Sequence, residues 1–178
     1  METQQLEAAL NKLATPTCHV LGVFARDQLP KKSTITRFPA CLIANTDSAS
    51  KPGEHWVAFW FESKESTEFF DSYGFDPSYF GFTLTCNNYN TIPIQSMDSS
   101  VCGEYSLYYL YMKSQGRSLS HIVSLFDPTN PLWNDKQVRK FFTKFFATPS
   151  SLSFPSSYSQ CCISRKCCIS RNSIAPIF

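Results

Sequence analysis

The 178-residue sequence predicts an α+β domain, a small, mostly antiparallel sheet packed with helices. Three observations lead there. Short β-branched or aromatic-rich runs alternate with turn-forming residues through the first half of the chain. The second half holds three stretches whose apolar residues recur at helical spacing. A hydrophobic share of 43% with 16 phenylalanines supplies a core that needs no staples.

The elements follow in chain order. Leu6, Leu10 and Leu13 share one face of a helix over residues 3–14, stopped by Pro16. Cys18–Ala25, Ala40–Ala44, His55–Phe61 and Glu68–Ser72 read as four strands. The loop Asn45–Gly53 is polar and ends in Pro52-Gly53, so it delivers His55 to a strand start. Residues 83–94 are a further strand or extended segment leading to Gln95.

Three helices close the body. The first begins at Cys102 and stacks Tyr105, Tyr108, Tyr109 and Met112 on one face, with Gly116 just past its end. The second runs from about Leu119 to Leu125, before Asp127-Pro128. The third takes Asn134 as its N-cap and places Val138, Phe141, Phe142 and Phe145 on one face.

From Ser150 the composition shifts to Ser, Pro, Cys and Arg without periodicity. The expected division is a folded domain over 1–149 and a disordered Cys/Ser-rich tail over 150–178. Cys161-Cys162-Ile-Ser-Arg165 recurs as Cys167-Cys168-Ile-Ser-Arg171, too short a repeat for a solenoid. S-acylation of the paired cysteines, thiolate metal binding and a read-through extension are minority readings of that tail.

Charge narrows the function classes. The net charge is +2, yet Arg165, Lys166 and Arg171 of the tail have no acid beside them. The body therefore holds 13 basic against 14 acidic groups, which argues against a nucleic-acid binder by bulk charge. The N-terminus lacks a basic and an apolar signal region, and no apolar run reaches the roughly 18 residues of a membrane span. A soluble, intracellular, non-secreted protein with reduced thiols is expected.

One cysteine stands out. In Gln95-Ser-Met-Asp-Ser-Ser-Val-Cys102-Gly103 the thiol falls at a helix start, where free N–H groups and the helix dipole stabilise a thiolate. Gln95 is placed to help receive an oxyanion. Upstream lie His55-Trp56 and Asp71, giving the order His, acid, Gln, Cys. Asp71 sits among Phe69, Phe70 and Tyr73, where an unpaired carboxylate is costly and a histidine partner relieves the cost. His19 and His121 are the other histidines, one in an apolar strand run and one in a downstream helix. Glu62, Glu65 and Glu68 read as surface charges.

These residues carry a family resemblance. Pro39–Thr46, Gly53-Glu-His-Trp-Val-Ala-Phe59, Phe69-Phe-Asp-Ser-Tyr-Gly-Phe75 and Gln95–Gly103 together resemble the adenovirus-type cysteine endopeptidases (adenain), also carried by Maverick/Polinton virus-like elements and related to SUMO-specific proteases. The similarity covers roughly residues 5–147, more weakly through Asn134–Phe142.

It implies a cysteine protease of the adenain/SUMO-protease fold, with His55, Asp71 and Cys102 catalytic and Gln95 in the oxyanion hole. Adenoviral members carry Glu at the place of Asp71, whereas SUMO proteases carry Asp. In the family, the tryptophan after the histidine, here Trp56, roofs a narrow channel for glycine-rich substrate. The resemblance thus implies cleavage after small, Gly-containing sites in viral or virus-like precursor proteins, in a host nucleus or virion. No cofactor is needed for that chemistry and no metal is expected. An activating peptide is implied by the family, with Cys86 near the cysteine that couples to it. Activation by DNA fits the near-neutral body poorly. The stretch from Asp71 to Gln95 is shorter than in adenoviral enzymes, so part of the groove differs. A SUMO- or ubiquitin-like isopeptidase on the same fold and an inactive protease-fold binding module stay open as alternatives.

Overall fold

Residue-by-residue alternation builds the centre of the molecule. A computed structural model describes residues 2–14 and 18–146, and Pro16 and the 150–178 tail lie outside them. Strands β1 (His19–Phe24), β2 (Ala40–Asn45), β3 (Trp56–Phe61), β4 (Thr67–Phe70) and β5 (Asn88–Tyr89) form one sheet in that spatial order. The β2–β3 and β3–β4 pairs are antiparallel, while the edge strands β1 and β5 join in parallel. The predicted α+β class is the observed one. Its antiparallel character is concentrated in the three central strands.

Successive side chains of a strand point to opposite faces. Ala58 and Trp60 of β3 therefore join Cys41, Ile43 and Phe70 on one face. Val57, Phe59 and Phe61 join Leu42, Ala44 and Phe69 on the other. Both faces are covered, which is why β2 and β3 read as continuous apolar runs. Burying each such Phe contributes about 1.5–3 kcal/mol relative to exposure.

Four helices complete the domain: α1 (Thr3–Asn11), α2 (Cys102–Ser114), α3 (Leu119–Ser124) and α4 (Pro131–Phe145). The sequence suggests a one-sided α2, but Leu107 and Leu110 are buried along with Tyr105, Tyr108 and Tyr109. The sheet packs on one side of α2 and the other helices on the rest. Its polar tips find partners inside. The Tyr109 hydroxyl donates to Glu68 Oε2 at 3.0 Å, and Lys113 Nζ pairs with the same oxygen at 2.9 Å. Glu68 is thus a packed ion-pair partner and not the surface charge that its neighbours suggest.

The α4 boundary also differs from expectation. Asn130 is the cap, its side chain accepting from the Trp133 N–H, and Pro131 occupies the first turn. Asn134 instead lies inside the helix, buried, and its amide donates to the Ile94 and Asp127 carbonyls.

One turn positions the acid of the site. Gly74 adopts φ +74°, and an added Cβ would stand 2.9 Å from backbone carbons of Thr91 and Ile92. Gly74→Ala is expected to destabilise the domain by at least about 1–3 kcal/mol, from strained φ plus that overlap. A fall in thermal midpoint checks it; an unchanged midpoint would show that the turn relaxes freely.

Candidate active site

Three loops deliver the side chains that the sequence singles out. His55 immediately precedes β3, and its loop is pinned at both ends by Asn45. The Asn45 side-chain oxygen accepts the Asp47 N–H at 2.9 Å and the Glu54 N–H at 3.2 Å. The Thr46 N–H donates to the His55 carbonyl at 2.8 Å. Gly53, at φ +90°, passes so close to Asn45 that a Cβ would meet its amide nitrogen at 2.8 Å. The polar loop therefore presents His55 in one orientation.

Asp71 directly follows β4 and is fully buried. Its Oδ1 lies 2.6 Å from His55 Nε2 and accepts the Tyr73 N–H at 3.2 Å, while Oδ2 accepts the Phe75 N–H at 2.9 Å. Asn90 clamps its backbone: the Asn90 amide donates to the Asp71 carbonyl at 2.6 Å, and Asn90 Oδ1 accepts the Asp71 N–H at 3.1 Å. Burying a carboxylate without such partners is costly.

Cys102 is the first residue of α2, only 8% exposed, and close enough to the His55 ring to influence its protonation. With Nε2 on Asp71, Nδ1 is the nitrogen left for the thiol. Burial alone would depress His55. The hydrogen bonds and charges of Asp71 and Cys102 outweigh it and raise the imidazole to about 9. The first turn of α2 adds N–H groups that have no intrahelical acceptor.

His55, Trp56 and Cys102 line one open cavity of about 670 Å³, together with Tyr73, Phe80 and Met97. His55 is sandwiched there, its ring stacked on Tyr73 at 4.8 Å and tilted against Phe80 at 5.7 Å. His19 and His121 do not line it.

Gln95 is brought to the same place, but behind the surface. It is 3% exposed; its Oε1 accepts from the Ser72 hydroxyl at 2.6 Å. Its Nε2 donates toward the Ser99 carbonyl at 2.9 Å, the Tyr73 hydroxyl at 3.1 Å and the Ser99 hydroxyl at 3.2 Å. Both amide hydrogens are therefore engaged within the protein.

The remaining body cysteines sit elsewhere. Cys18 and Cys41 are buried with sulfurs 3.5 Å apart, and burial pushes the Cys86 thiol up to about 11. Sequence reasoning missed Tyr73, Asn90 and Asn45 as parts of the site. Tyr73 was visible beside Asp71, though only as an apolar flank; nothing local marked the two asparagines.

No protein-family profile matches the chain, and no curated protein matches it by sequence. Solved structures do. The crystal structure of the ASFV pS273R protease superposes with a TM-score of 0.57 at 17% identity, over 83% of this chain and 68% of that one. The central domain of the uncharacterized Lpg1148 protein from Legionella pneumophila gives 0.49 at 14% identity, over 82% and 97%. The first likeness shows that the chain has a viral cysteine-protease-like fold, without singling out the adenain branch.

Proposed function

We propose that this protein is a cysteine endopeptidase of adenain type, with Cys102 as nucleophile, His55 as acid and base, and Asp71 as the group that orients His55. The observation carrying this reading is the buried Asp71–His55 hydrogen bond at 2.6 Å, with His55 and Cys102 lining one cavity.

The chemistry follows from that chain. The Cys102 thiol gives its proton to His55, and the thiolate attacks the carbonyl carbon of the scissile bond. The charge on oxygen is received by N–H groups of the first turn of α2 and by the Gln95 side chain, the role that the family resemblance gives it. As the C–N bond breaks, the imidazolium protonates the departing amine, leaving an acyl-thioester on Cys102. Water, deprotonated by His55, then releases the acid and restores the thiol. An imidazole held at about 9 is protonated at neutral pH, as the leaving-group step requires. No cofactor enters these steps.

Trp56, Tyr73, Phe80 and Met97 line the cavity on which Cys102 opens. The family resemblance at Trp56, beside His55, supports small residues, glycine above all, before the cut. Precursors of virus-like structural proteins are the proposed substrates. The alternative on the same fold is a SUMO- or ubiquitin-like isopeptidase.

The test is a peptide series varied at the two positions before the cut. Gly-Gly peptides are expected to exceed Leu or Phe peptides in kcat/KM by about tenfold or more. Equal rates across the series would refute the small-residue reading. Rapid release of SUMO from a fusion, with negligible peptide cleavage, would favour the isopeptidase.

A further inference from the structure

The His55 side of the cavity carries an aromatic ladder to which the chemistry above gives no task. Phe80 packs against the His55 ring at 5.7 Å, and Tyr79 meets Phe80 edge-on at 5.1 Å. Phe75 then stacks on Tyr79 at 4.4 Å, with 11° between the ring planes. All three rings line the cavity that His55 and Cys102 share. Tyr79 is 68% exposed and Phe75 36%, so the outer end of the ladder is not core.

The backbone beneath these open rings is fixed. Asp71 Oδ2 holds the Phe75 N–H at 2.9 Å. Asp76 caps the 3-10 turn Pro77–Phe80, its side chain accepting the Ser78 N–H at 2.7 Å, and Gly81 ends that turn at φ +75°. Arg26 Nη1 donates to the Phe80 carbonyl at 2.6 Å, which ties the turn to the segment after β1. Apolar surface on so rigid a support loses little freedom when a ligand docks on it. Large exposed rings bordering a cavity mark a contact site.

We propose that the stacked Phe75–Tyr79 pair, continued by Phe80, is the subsite for the residues after the scissile bond, and that it takes a large apolar side chain there. This rests on the endopeptidase reading and deepens it, by assigning the leaving half of the substrate.

The chemistry selects the side. The acyl half of the substrate becomes bonded to Cys102 Sγ, whereas the departing amine takes its proton from His55. The residues after the cut therefore begin against the imidazole, and the ladder begins at the same ring. An extended chain covers about 3.3–3.6 Å per residue, so the first two residues after the cut come within side-chain reach of Tyr79 and Phe75. Three rings with a single hydroxyl among them offer area and faces, which suits leucine or phenylalanine.

The test uses the full chain and peptides with Gly-Gly before the cut and Leu, Phe, Gly or Lys at each of the two positions after it. In the parent, kcat/KM is expected to be at least about tenfold higher for Leu or Phe than for Gly at one of those positions. In Tyr79→Ala that ratio should fall by at least about fivefold. The thermal midpoint of the variant is read alongside, and the parent ratio tests the proposal without any variant. A parent ratio within about twofold of unity at both positions would overturn the proposal. A Tyr79→Ala ratio within about twofold of the parent's would also overturn it, leaving the ladder as a cover over the Asp71–His55 pair. So would a Lys peptide that outruns Leu and Phe, or a Tyr79-dependent apolar preference found only before the cut. A parent that cleaves none of these peptides takes the endopeptidase reading with it. A parent that cleaves them all at equal rates removes this inference alone.

Discussion

Cys102→Ala is expected to abolish peptide hydrolysis, with a loss of about 10⁴–10⁶-fold in kcat, while the protein stays folded. The size follows from the absence of a substitute nucleophile among the described residues. The Cys18 and Cys41 thiols are free, buried in the core and hydrogen-bonded to each other, and they do not line the cavity. Cys86 lies half-buried against the opposite face of the sheet, with its thiol pushed up to about 11. Stability should change by only about 1 kcal/mol, because Cys102 borders an open cavity and its backbone already starts α2. Turnover and thermal midpoint, measured on one preparation, check this together. Residual turnover within tenfold of the parent would move the nucleophile elsewhere.

The second large effect belongs to Asp71→Asn. The substitution keeps the size of the side chain but exchanges an acceptor for a donor. Asp71 uses one oxygen for His55 and Tyr73 and the other for Phe75, so both oxygens are accepting. Asparagine has one acceptor oxygen, and its NH₂ must face either the Phe75 N–H or the His55 ring. Either way a donor meets a donor, or the imidazole adopts the wrong tautomer. A loss of about 10³–10⁴-fold in kcat is expected, the scale of this exchange in a related triad.

The pH dependence gives a second readout. Asp71 supplies a hydrogen bond and a charge that raise His55 to about 9 against its burial. His55 must be protonated to release the amine, so turnover of the parent should decline as pH rises through about 9. In Asp71→Asn that decline moves toward lower pH. The sign for stability is the same: the His55 contribution is complete below the ordinary histidine value of 6.5 and is lost as pH passes about 9. A variant whose upper limb stays in place would show that Asp71 does not govern His55.

Much of this site was legible before the fold was known, and the reasons are local. Asp71 sits between aromatic residues, which by itself demands a partner. Cys102 could be placed at a helix start because Tyr105, Tyr108 and Tyr109 set the helical spacing behind it. β2 and β3 announced themselves as unbroken apolar runs because both faces of the sheet are covered.

What escaped was non-local. The partners of Gln95 come from Ser72, Tyr73 and Ser99, on two segments that only the fold brings together. Asn90 follows a two-residue strand too short to show any period. The start of α4 was misplaced because Asn134 looks like a cap; the actual cap, Asn130 before Pro131, is an equally standard signal four residues earlier. Asn134 is kept inside the helix by two backbone carbonyls that no local pattern reveals.

The central claim is that Asp71, His55 and Cys102 form one catalytic unit. It is tested most directly by the rate at which iodoacetamide modifies each cysteine of the native protein at neutral pH, read by peptide mapping. The account predicts that Cys102 is modified at least about tenfold faster than Cys18, Cys41 or Cys86, and that Asp71→Asn removes most of that advantage. Equal rates at the four thiols of the folded protein would contradict it.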